Sequence, residues 1–163
     1  MSARALPYRP HNHDACVSQA LADARAICQQ QSARLTPTRE RVLELVWQSH
    51  KPLGAYDVLA KLTAEGHNAA PPTVYRALDF LQQHGLVHRI ASLNAFIGCA
   101  HVGEHHTGMF LICRVCGNVL ELTDASVSTA IRNAAGAEVF RAEAVTLEVA
   151  GVCPGCQTEP NHE

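Results

Sequence analysis

The feature that most constrains the fold of this chain is a pair of Cys-x-x-Cys motifs, Cys113/Cys116 and Cys153/Cys156. The 36 residues between them, 117–152, have the patterns of one strand, one helix and one more strand. Such a connection brings the chain back to its starting point, so that four thiolates can surround one ion in the closed tetrahedral geometry of a structural zinc site. Oxidised disulfides are the alternative interpretation of the same cysteines.

The residues around these motifs predict the structure of the second half. The first motif lies in the turn of a β-hairpin that we predict over residues 105–122, with apolar runs on both sides. Asp124 is the predicted N-cap of a helix that ends at Gly136. The inward face of this helix would carry Val127, Ala130, Ile131 and Ala134. Residues 138–152 alternate apolar and polar side chains and predict a third strand.

The first half predicts a bundle of short helices. Residues 1–13 lack periodicity and are predicted to be a disordered tail, in which His11 and His13 would bind metal only loosely. Four helices follow: one capped by Asp14 that runs to about Ser32, one that begins at Thr36-Pro37, one over 55–65 and one from Pro71-Pro72 to Gly85. A hairpin over 86–99 comes next, and a hairpin in this place is the wing of a winged helix-turn-helix.

The last of these helices is a candidate DNA-reading element because Tyr75 and Arg76 lie on its outer side. Arginine can make a bidentate contact with guanine, and tyrosine can meet a thymine methyl group or a phosphate. An ordinary solvated helix face is the alternative, and the helix alone does not distinguish the two. The predicted wing favours the DNA-reading interpretation.

A second group of metal-ligand side chains is predicted where the wing meets the second half. If the wing turns at residues 93–94, His88 faces Cys99 with Cβ atoms about 4.5–5.5 Å apart. The second hairpin places His106 within about one diagonal step of Glu121. Sulfur and imidazole ligands favour zinc over iron(II) or manganese(II), and a site that drew on both hairpins would couple the orientation of the two halves to metal binding. The alternative is a partly buried histidine beside a cysteine that packs as a small apolar side chain.

Composition and charge limit the kinds of partner. Residues 1–99 carry ten Lys/Arg against seven Asp/Glu, whereas residues 100–163 carry three against eight. This asymmetry suits a protein that meets a polyanion with one end. The sequence shows neither a run of about 18 apolar residues nor a signal-peptide core, so we expect a cytoplasmic protein without membrane segments. In that compartment its cysteines are thiols or metal ligands.

Catalytic zinc chemistry is not expected. The chain lacks a His-Glu-x-x-His motif and the His-x-Glu of the zinc deaminases. A catalytic zinc also needs an open position for water, whereas His88, Cys99, His106 and Glu121 would fill all four. The sequence therefore predicts neither an enzyme nor a small-molecule substrate.

Several stretches together carry a family resemblance: LTPTRERVLELV (35–46), PPTVYRALDFLQQHGLVHR (71–89), FLICRVCGNVLEL (110–122) and the late CPGC. With them the chain resembles the ferric uptake regulator superfamily over about residues 17–156, and the PPTVYRALDFL form is similar to its zinc uptake regulator branch. The resemblance implies an α+β fold with an N-terminal winged helix-turn-helix domain and a small α/β dimerisation domain holding a four-cysteine zinc site. The implied divisions are a tail (1–13), a DNA-binding domain (14–99), a hinge (100–104) and a dimerisation and metal-binding domain (105–163).

The resemblance also implies a function, that of a homodimeric repressor that uses zinc as co-repressor at AT-rich inverted-repeat operators in double-stranded DNA. Two zinc ions per chain are implied: a structural one at Cys113, Cys116, Cys153 and Cys156, and a regulatory one at His88, Cys99, His106 and Glu121. The implied DNA contacts are Tyr56, Thr73, Tyr75 and Arg76. An iron- or peroxide-sensing regulator on the same scaffold is the alternative, and a third metal site at His101, His105 and His162 stays open.

Overall fold

The computed structural model describes Tyr8 and residues 11–158; the other residues of the predicted tail, and His162, lie outside the described residues. Its first half contains α1 (His13–Gln30), α2 (Pro37–Trp47), α3 (Ala55–Ala64), α4 (Pro71–Gln83), β1 (Val87–Ile90) and β2 (Ala95–Gly98). Its second half contains β3 (Gly108–Cys113), β4 (Val119–Leu122), α5 (Ala125–Ala137), β5 (Thr146–Gly151) and α6 (Pro154–Gln157). This architecture confirms the predicted α+β class.

Local sequence signals explain where the middle helices begin and end. The Thr36 hydroxyl accepts a hydrogen bond from the Arg39 N–H at 3.3 Å, and Pro37 occupies the first helical position, where its missing N–H costs nothing. Gly66 and Gly85 follow α3 and α4 with φ of +83° and +68°, a conformation that glycine adopts easily. None of the helices in residues 11–158 combines the length and apolar character that a membrane crossing requires.

Helix α1 begins earlier than the sequence predicted. Its cap is Asn12 rather than Asp14, since the Asn12 side chain accepts a hydrogen bond from the Ala15 N–H at 3.2 Å. The prediction that residues 11–13 belong to a disordered tail was therefore wrong. Asparagine and aspartate are equally good caps, so sequence preference alone cannot choose between two candidates so close together.

The core of the first half packs the helices against the wing. Helix α2 contributes Val42, Leu43, Leu45 and Val46, each at most 2% exposed. Trp47 at the end of α2 lies against Gly98 of β2, where a Cβ atom would be only 2.1 Å from Cε2 of the indole ring. This close approach fixes β2 against α2.

The wing has a different register from the predicted one. His88 lies opposite Ile97, and Cys99 lies opposite Leu86, to whose carbonyl its N–H donates at 3.0 Å. The predicted opposition of His88 and Cys99 was wrong because the turn contains a short 3-10 segment, Ala91–Leu93, that moves its centre by one residue. The partner of His88 thus shifts by two positions, which keeps both side chains on one face as diagonal neighbours.

Strands β4, β3 and β5 form a sheet in that order. Strands β3 and β4 are the predicted antiparallel hairpin, and β5 pairs with β3 in parallel because α5 carries the chain across the sheet. The predicted order of strand, strand, helix and strand is confirmed. The predicted strand over 138–152 was too long, since regular pairing begins only at Thr146 and Val139 has a φ of +57°.

The apolar face of α5 is open in the single chain. Asp124 caps this helix through two backbone N–H groups, as predicted. However, α5 contains no buried residue, and Ala130 and Ala134, which were predicted to face inward, are exposed. The neighbouring Val139 and Phe140 are 95% and 67% exposed. The periodicity identified a real apolar stripe that one chain alone does not cover.

The two halves are in direct contact. The Val119 N–H in β4 donates to the His50 carbonyl at 3.0 Å, just after α2. The Glu148 carboxylate in β5 accepts hydrogen bonds from the N–H groups of Ala91 and Ser92 at the tip of the wing, at 2.7 and 3.2 Å. A small apolar cluster also joins the wing to the sheet: Ile90, Ile97, Phe110, Ile112 and Val119.

We expect Gly98→Ala to destabilise the fold by about 1–3 kcal/mol, because the added methyl group would overlap the Trp47 ring. Urea unfolding followed by the fluorescence of this single tryptophan measures the change. Gly136→Ala is the matched control, since nothing lies within 4 Å of a Cβ atom there, and alanine is the better helix former by roughly 0.5–1 kcal/mol. Equal stabilities of Gly98→Ala and the wild type would contradict the close packing.

Candidate metal centres and DNA-binding surface

The four cysteines of the Cys-x-x-Cys motifs come together at one end of the sheet. Cys113 ends β3, Cys153 precedes α6, and the four sulfur atoms all lie within 4.8 Å of one another. The Sγ atoms of Cys116 and Cys153 are 3.8 Å apart. Two thiolates on a tetrahedral zinc ion, with Zn–S of about 2.3 Å, are separated by roughly the same distance. These residues therefore fit a four-thiolate zinc site.

Backbone N–H groups surround the Cys113 sulfur. Gly117, with φ of +76°, turns the chain back so that its N–H donates to the Cys113 carbonyl at 2.9 Å. The Cys153 N–H donates to Cys113 Sγ at 3.3 Å. Burial acts to raise the pKa of the Cys113 thiol, but hydrogen bonds from the N–H groups of Cys116, Cys153 and Val115 outweigh it and lower the pKa to about 6. The thiolate, which is the metal-binding form, is thus favoured at neutral pH.

A second convergent group lies where the wing meets the β3–β4 hairpin. It contains His88 of β1, Cys99 after β2, His106 before β3 and Glu121 of β4. The Nε2 atom of His106 is 3.6 Å from Cys99 Sγ, 3.2 Å from His88 Nε2 and 2.7 Å from Glu121 Oε1. His88 Nε2 is 2.8 Å from the same Glu121 oxygen. One sulfur, two nitrogens and one oxygen thus surround a common point, a donor set that fits four-coordinate zinc.

Neighbouring groups orient these side chains. Nδ1 of His106 lies 2.8 Å from the Glu104 carbonyl and can donate to it, while Nε2 faces the cluster. The second oxygen of Glu121, Oε2, accepts a hydrogen bond from the Ala100 N–H at 2.8 Å. Both backbone groups belong to the segment between Cys99 and His106. The conformation of this segment is therefore tied to the cluster.

The Glu121 side chain is enclosed within this mixed cluster and is only 3% exposed. Burial acts to raise its pKa, but the hydrogen bond and charge of His88, the Ala100 N–H and the charge of His106 outweigh burial and hold the pKa below its usual value. The carboxylate therefore stays ionised at neutral pH. A buried carboxylate needs such partners, because an unpaired buried charge is strongly unfavourable.

His106 reaches the cluster by a different route from the predicted one. Phe110 lies opposite Glu121 in the hairpin, and β3 begins only at Gly108. His106 therefore approaches from the preceding loop rather than from a strand position one diagonal step away. Within the described part of the chain, His101 and His105 belong to no convergent group of three or more ligand-type side chains.

The four residues that the resemblance assigns to DNA contact lie on α3 and α4. Tyr56 and Tyr75 are 69% and 42% exposed, Arg76 is exposed, and Thr73 is half-buried in the first turn of α4. The Arg76 Nε–H donates to the Pro72 carbonyl at 3.2 Å. Two exposed tyrosines and an arginine on adjacent helices suit contacts with DNA phosphates and base edges.

Glu148 is a residue that the sequence analysis missed. Hydrogen bonding with the Ser92 side chain, together with the N–H groups of Ala91 and Ser92, outweighs burial and holds the pKa of Glu148 below its usual value. Glu148 pairs with Phe110 and so lies on the side of the sheet that faces the wing. In the sequence Glu148 alternates with Leu147 and Val149 and resembles an ordinary polar strand position, so no sequence signal identified it.

The sequence pattern of the ferric uptake regulator family matches residues 30–150. The chain belongs to this family. It is 38% identical over 138 residues to the zinc uptake regulation protein of Escherichia coli (strain K12), covering 83% of this chain and 80% of that protein. The structure of a zinc uptake regulator complexed with zinc and DNA has a TM-score of 0.82 and 37% identity, covering 86% of this chain and 95% of that one. These similarities confirm the predicted resemblance to the zinc uptake regulator branch.

Two structures of another family member, XcZur, differ in their likeness to this chain. Both are 40% identical to it. The holo form has a TM-score of 0.80, covering 88% of this chain and 99% of that one, whereas the apo form has 0.51, covering 87% and 98%. Since the identity is the same, the difference lies in the arrangement of the chain. The arrangement of this chain is therefore more similar to the holo form of XcZur than to its apo form.

Cobalt(II) titration should distinguish the four-cysteine group from the mixed cluster, because their ligands differ. We expect Cys113→Ser to remove most of the thiolate-to-cobalt absorption, because it opens the four-sulfur group, and Cys99→Ser to remove only the smaller contribution of the mixed cluster. Cys16→Ser, on α1 and outside both groups, is the control. Unchanged absorption in Cys113→Ser would contradict the four-thiolate site.

Proposed function

We propose that this protein is a zinc-responsive, DNA-binding transcriptional repressor of zinc-uptake genes, with zinc as co-repressor. The observation that carries the proposal is the convergence of His88 and Cys99 from the winged-helix half with His106 and Glu121 from the second half. The similarity to the E. coli zinc uptake regulation protein, and to a regulator solved with zinc and DNA, supports it. A protein with this function acts in the cytoplasm, where bacterial DNA is found.

The four-cysteine group is proposed as the structural site, and residues 105–163 as the domain that it stabilises. Its ligands join the β3–β4 turn to the start of α6, two elements that are far apart in sequence. Four thiolates close the coordination shell, which is typical of structural zinc. Because such a site forms only in the folded state, its binding free energy contributes to folding.

The mixed cluster is proposed as the regulatory site, which makes two zinc ions per chain. A bound zinc ion would hold ligands of the DNA-binding domain (14–99) and of the second domain in one coordination shell. Contacts within the chain already bring these ligands together. One oxygen of Glu121 contacts both histidines, and the other accepts a hydrogen bond from the N–H of Ala100, the first residue of the hinge (100–104). The closer likeness to holo than to apo XcZur supports a switch between two arrangements.

The DNA-reading surface is proposed to be α4, with Tyr75, Arg76 and Thr73, together with Tyr56 at the start of α3. In helix-turn-helix proteins the recognition helix enters the major groove, and a dimer reads two half-sites whose spacing reflects the separation of its two reading heads. An AT-rich inverted repeat is the operator that the family resemblance implies. Zinc that fixes the orientation of each winged-helix domain would thus set the distance between the two recognition helices of a dimer to the spacing of the half-sites.

A homodimer is proposed through the second half. Helix α5 has no buried residue, and the exposed Val139 and Phe140 follow it. On the side of the sheet away from the wing, a cavity of about 450 Å³ is lined partly by Leu111, Leu120 and Val149. Exposed apolar surfaces of this kind mark interfaces, and a second copy of the chain could cover them isologously.

An enzymatic role is not proposed, because four protein ligands at the mixed cluster leave no open position for a reacting water. The alternative candidate is an iron- or peroxide-sensing regulator on the same scaffold. The Cys99 sulfur favours zinc over the harder iron(II) at this cluster. A DNA-shift titration at buffered free zinc, run beside metal quantification, tests both candidates. DNA affinity that does not depend on zinc would contradict the proposal, and iron at the second site would favour the alternative.

Cys99→Ser should give a folded dimer whose DNA affinity no longer responds to zinc, because it removes a ligand of the mixed cluster and leaves the four-cysteine group intact. We expect the zinc affinity of this cluster to fall by at least roughly tenfold, the smallest loss typical of even an outer-shell partner. Circular dichroism, gel filtration and the buffered DNA-shift titration measure the outcome. An unfolded Cys99→Ser variant would contradict the division between structural and regulatory sites.

Arg76→Ala should weaken specific DNA binding by about 1–3 kcal/mol without changing the zinc content, because Arg76 is exposed on α4 and belongs to neither ligand group. Arg132→Ala, an exposed arginine on α5, is the matched control for the loss of one positive charge. Fluorescence anisotropy with operator and scrambled DNA separates specific from general binding. Equal losses in the two variants would argue against α4 as the reading helix.

A further inference from the structure

We propose that His11, His13 and His50 form a further metal site, which takes a divalent cation with a preference for imidazole, zinc above all. The three side chains offer ring nitrogens that all lie within 4.8 Å of one another. They share no residue with the four-cysteine group or with the mixed cluster. The proposal rests on these three side chains alone and does not depend on the function proposed above.

The geometry of the three rings suits a common ion. His11 Nε2 and His50 Nε2 are 2.8 Å apart. The ring centroid of His13 lies 5.8 Å from the ring centroid of His11 and 4.8 Å from that of His50. Tetrahedral zinc with Zn–N of about 2.0–2.1 Å separates two nitrogens by roughly 3.4 Å. Small rotations of the rings would bring all three nitrogens to that separation. Three imidazoles also leave one coordination position for water or a further ligand.

His13 is the independent observation that points to a ligand. Both of its ring nitrogens are shielded from solvent, and neither has a hydrogen-bond partner among the described residues. Burying polar atoms without partners is unfavourable, so native structures almost always pair them. A metal ion bound by one ring nitrogen would give that nitrogen a partner, so that one unpaired ring nitrogen would remain instead of two. Among the three histidines, His13 thus has the strongest physical reason to bind an ion.

The position of the site predicts what it would stabilise. His11 and His13 flank Asn12, the cap of α1, whereas His50 follows α2 and accepts a hydrogen bond from the Val119 N–H of β4. The Tyr8 hydroxyl donates to the Leu111 carbonyl at 2.8 Å, in the same sheet. An ion at the three histidines would therefore hold the start of α1 to the residue that follows α2, beside the contact with β4.

The test compares zinc binding by the untagged full-length protein and by His13→Phe, which keeps a ring of similar size but removes both nitrogens. After dialysis against buffered free zinc, we expect His13→Phe to hold one zinc ion fewer per chain than the wild type. His67→Ala removes an exposed histidine between α3 and α4 and is the control, for which we expect the wild-type zinc content. Equal zinc content in His13→Phe and the wild type would overturn the site.

Hydrogen exchange supplies a second measurement. We expect zinc to slow amide exchange in the first turn of α1 in the wild type and in Cys99→Ser, but not in His13→Phe. Should His13→Phe fail to fold, as judged by circular dichroism, His11→Ala tests the same site, because it deletes a ligand without touching the enclosed ring of His13. Zinc content and exchange rates in His11→Ala that match the wild type would also overturn the proposal.

Discussion

The arrangement of the two halves depends on the contacts that the buried carboxylate of Glu121 makes. It contacts His88 of the wing and His106 of the loop before β3 through one oxygen, and the Ala100 N–H through the other. An ionised carboxylate that is 3% exposed is stable only while these partners stay in place. The wing, the connecting segment and the sheet therefore cannot separate without leaving this charge unpaired.

The two sides of the three-stranded sheet have different roles because side chains alternate along each strand. The side that faces the wing carries Glu121, Glu148 and Phe110, so that it combines charge with apolar packing. The opposite side carries Leu111, Leu120 and Val149 and stays partly open in one chain. One sheet thus carries the mixed cluster, which contacts the winged helix, on one side and the apolar surface that we propose for dimerisation on the other.

Within the described residues, three separate groups of ligand-type side chains each join segments that are distant in sequence. The four cysteines connect the two ends of the segment from β3 to α6, the mixed cluster connects the second half to the wing, and the three histidines connect the start of α1 to the turn after α2. A protein of this size buries a limited core, so metal coordination is an effective way to fix the orientation of small units. The chemistry of each group matches this role, from four thiolates to three imidazoles.

The sequence by itself determined the elements and the ligand types. Thr36-Pro37, Gly66 and Gly85 located helix ends through local backbone preferences, the spacing of the cysteines predicted that they would meet, and the motifs predicted the family. Only the tertiary structure decided the register of the wing, the approach of His106 from a loop, the hydrogen bonds of Glu148 and the meeting of His50 with His11 and His13. Local rules could not predict these features, because a turn of one more or fewer residue satisfies the same pattern, and contacts between distant segments depend on how complete elements pack. The open face of α5 could not be predicted for the same reason, since periodicity shows that a stripe is apolar but not which surface covers it.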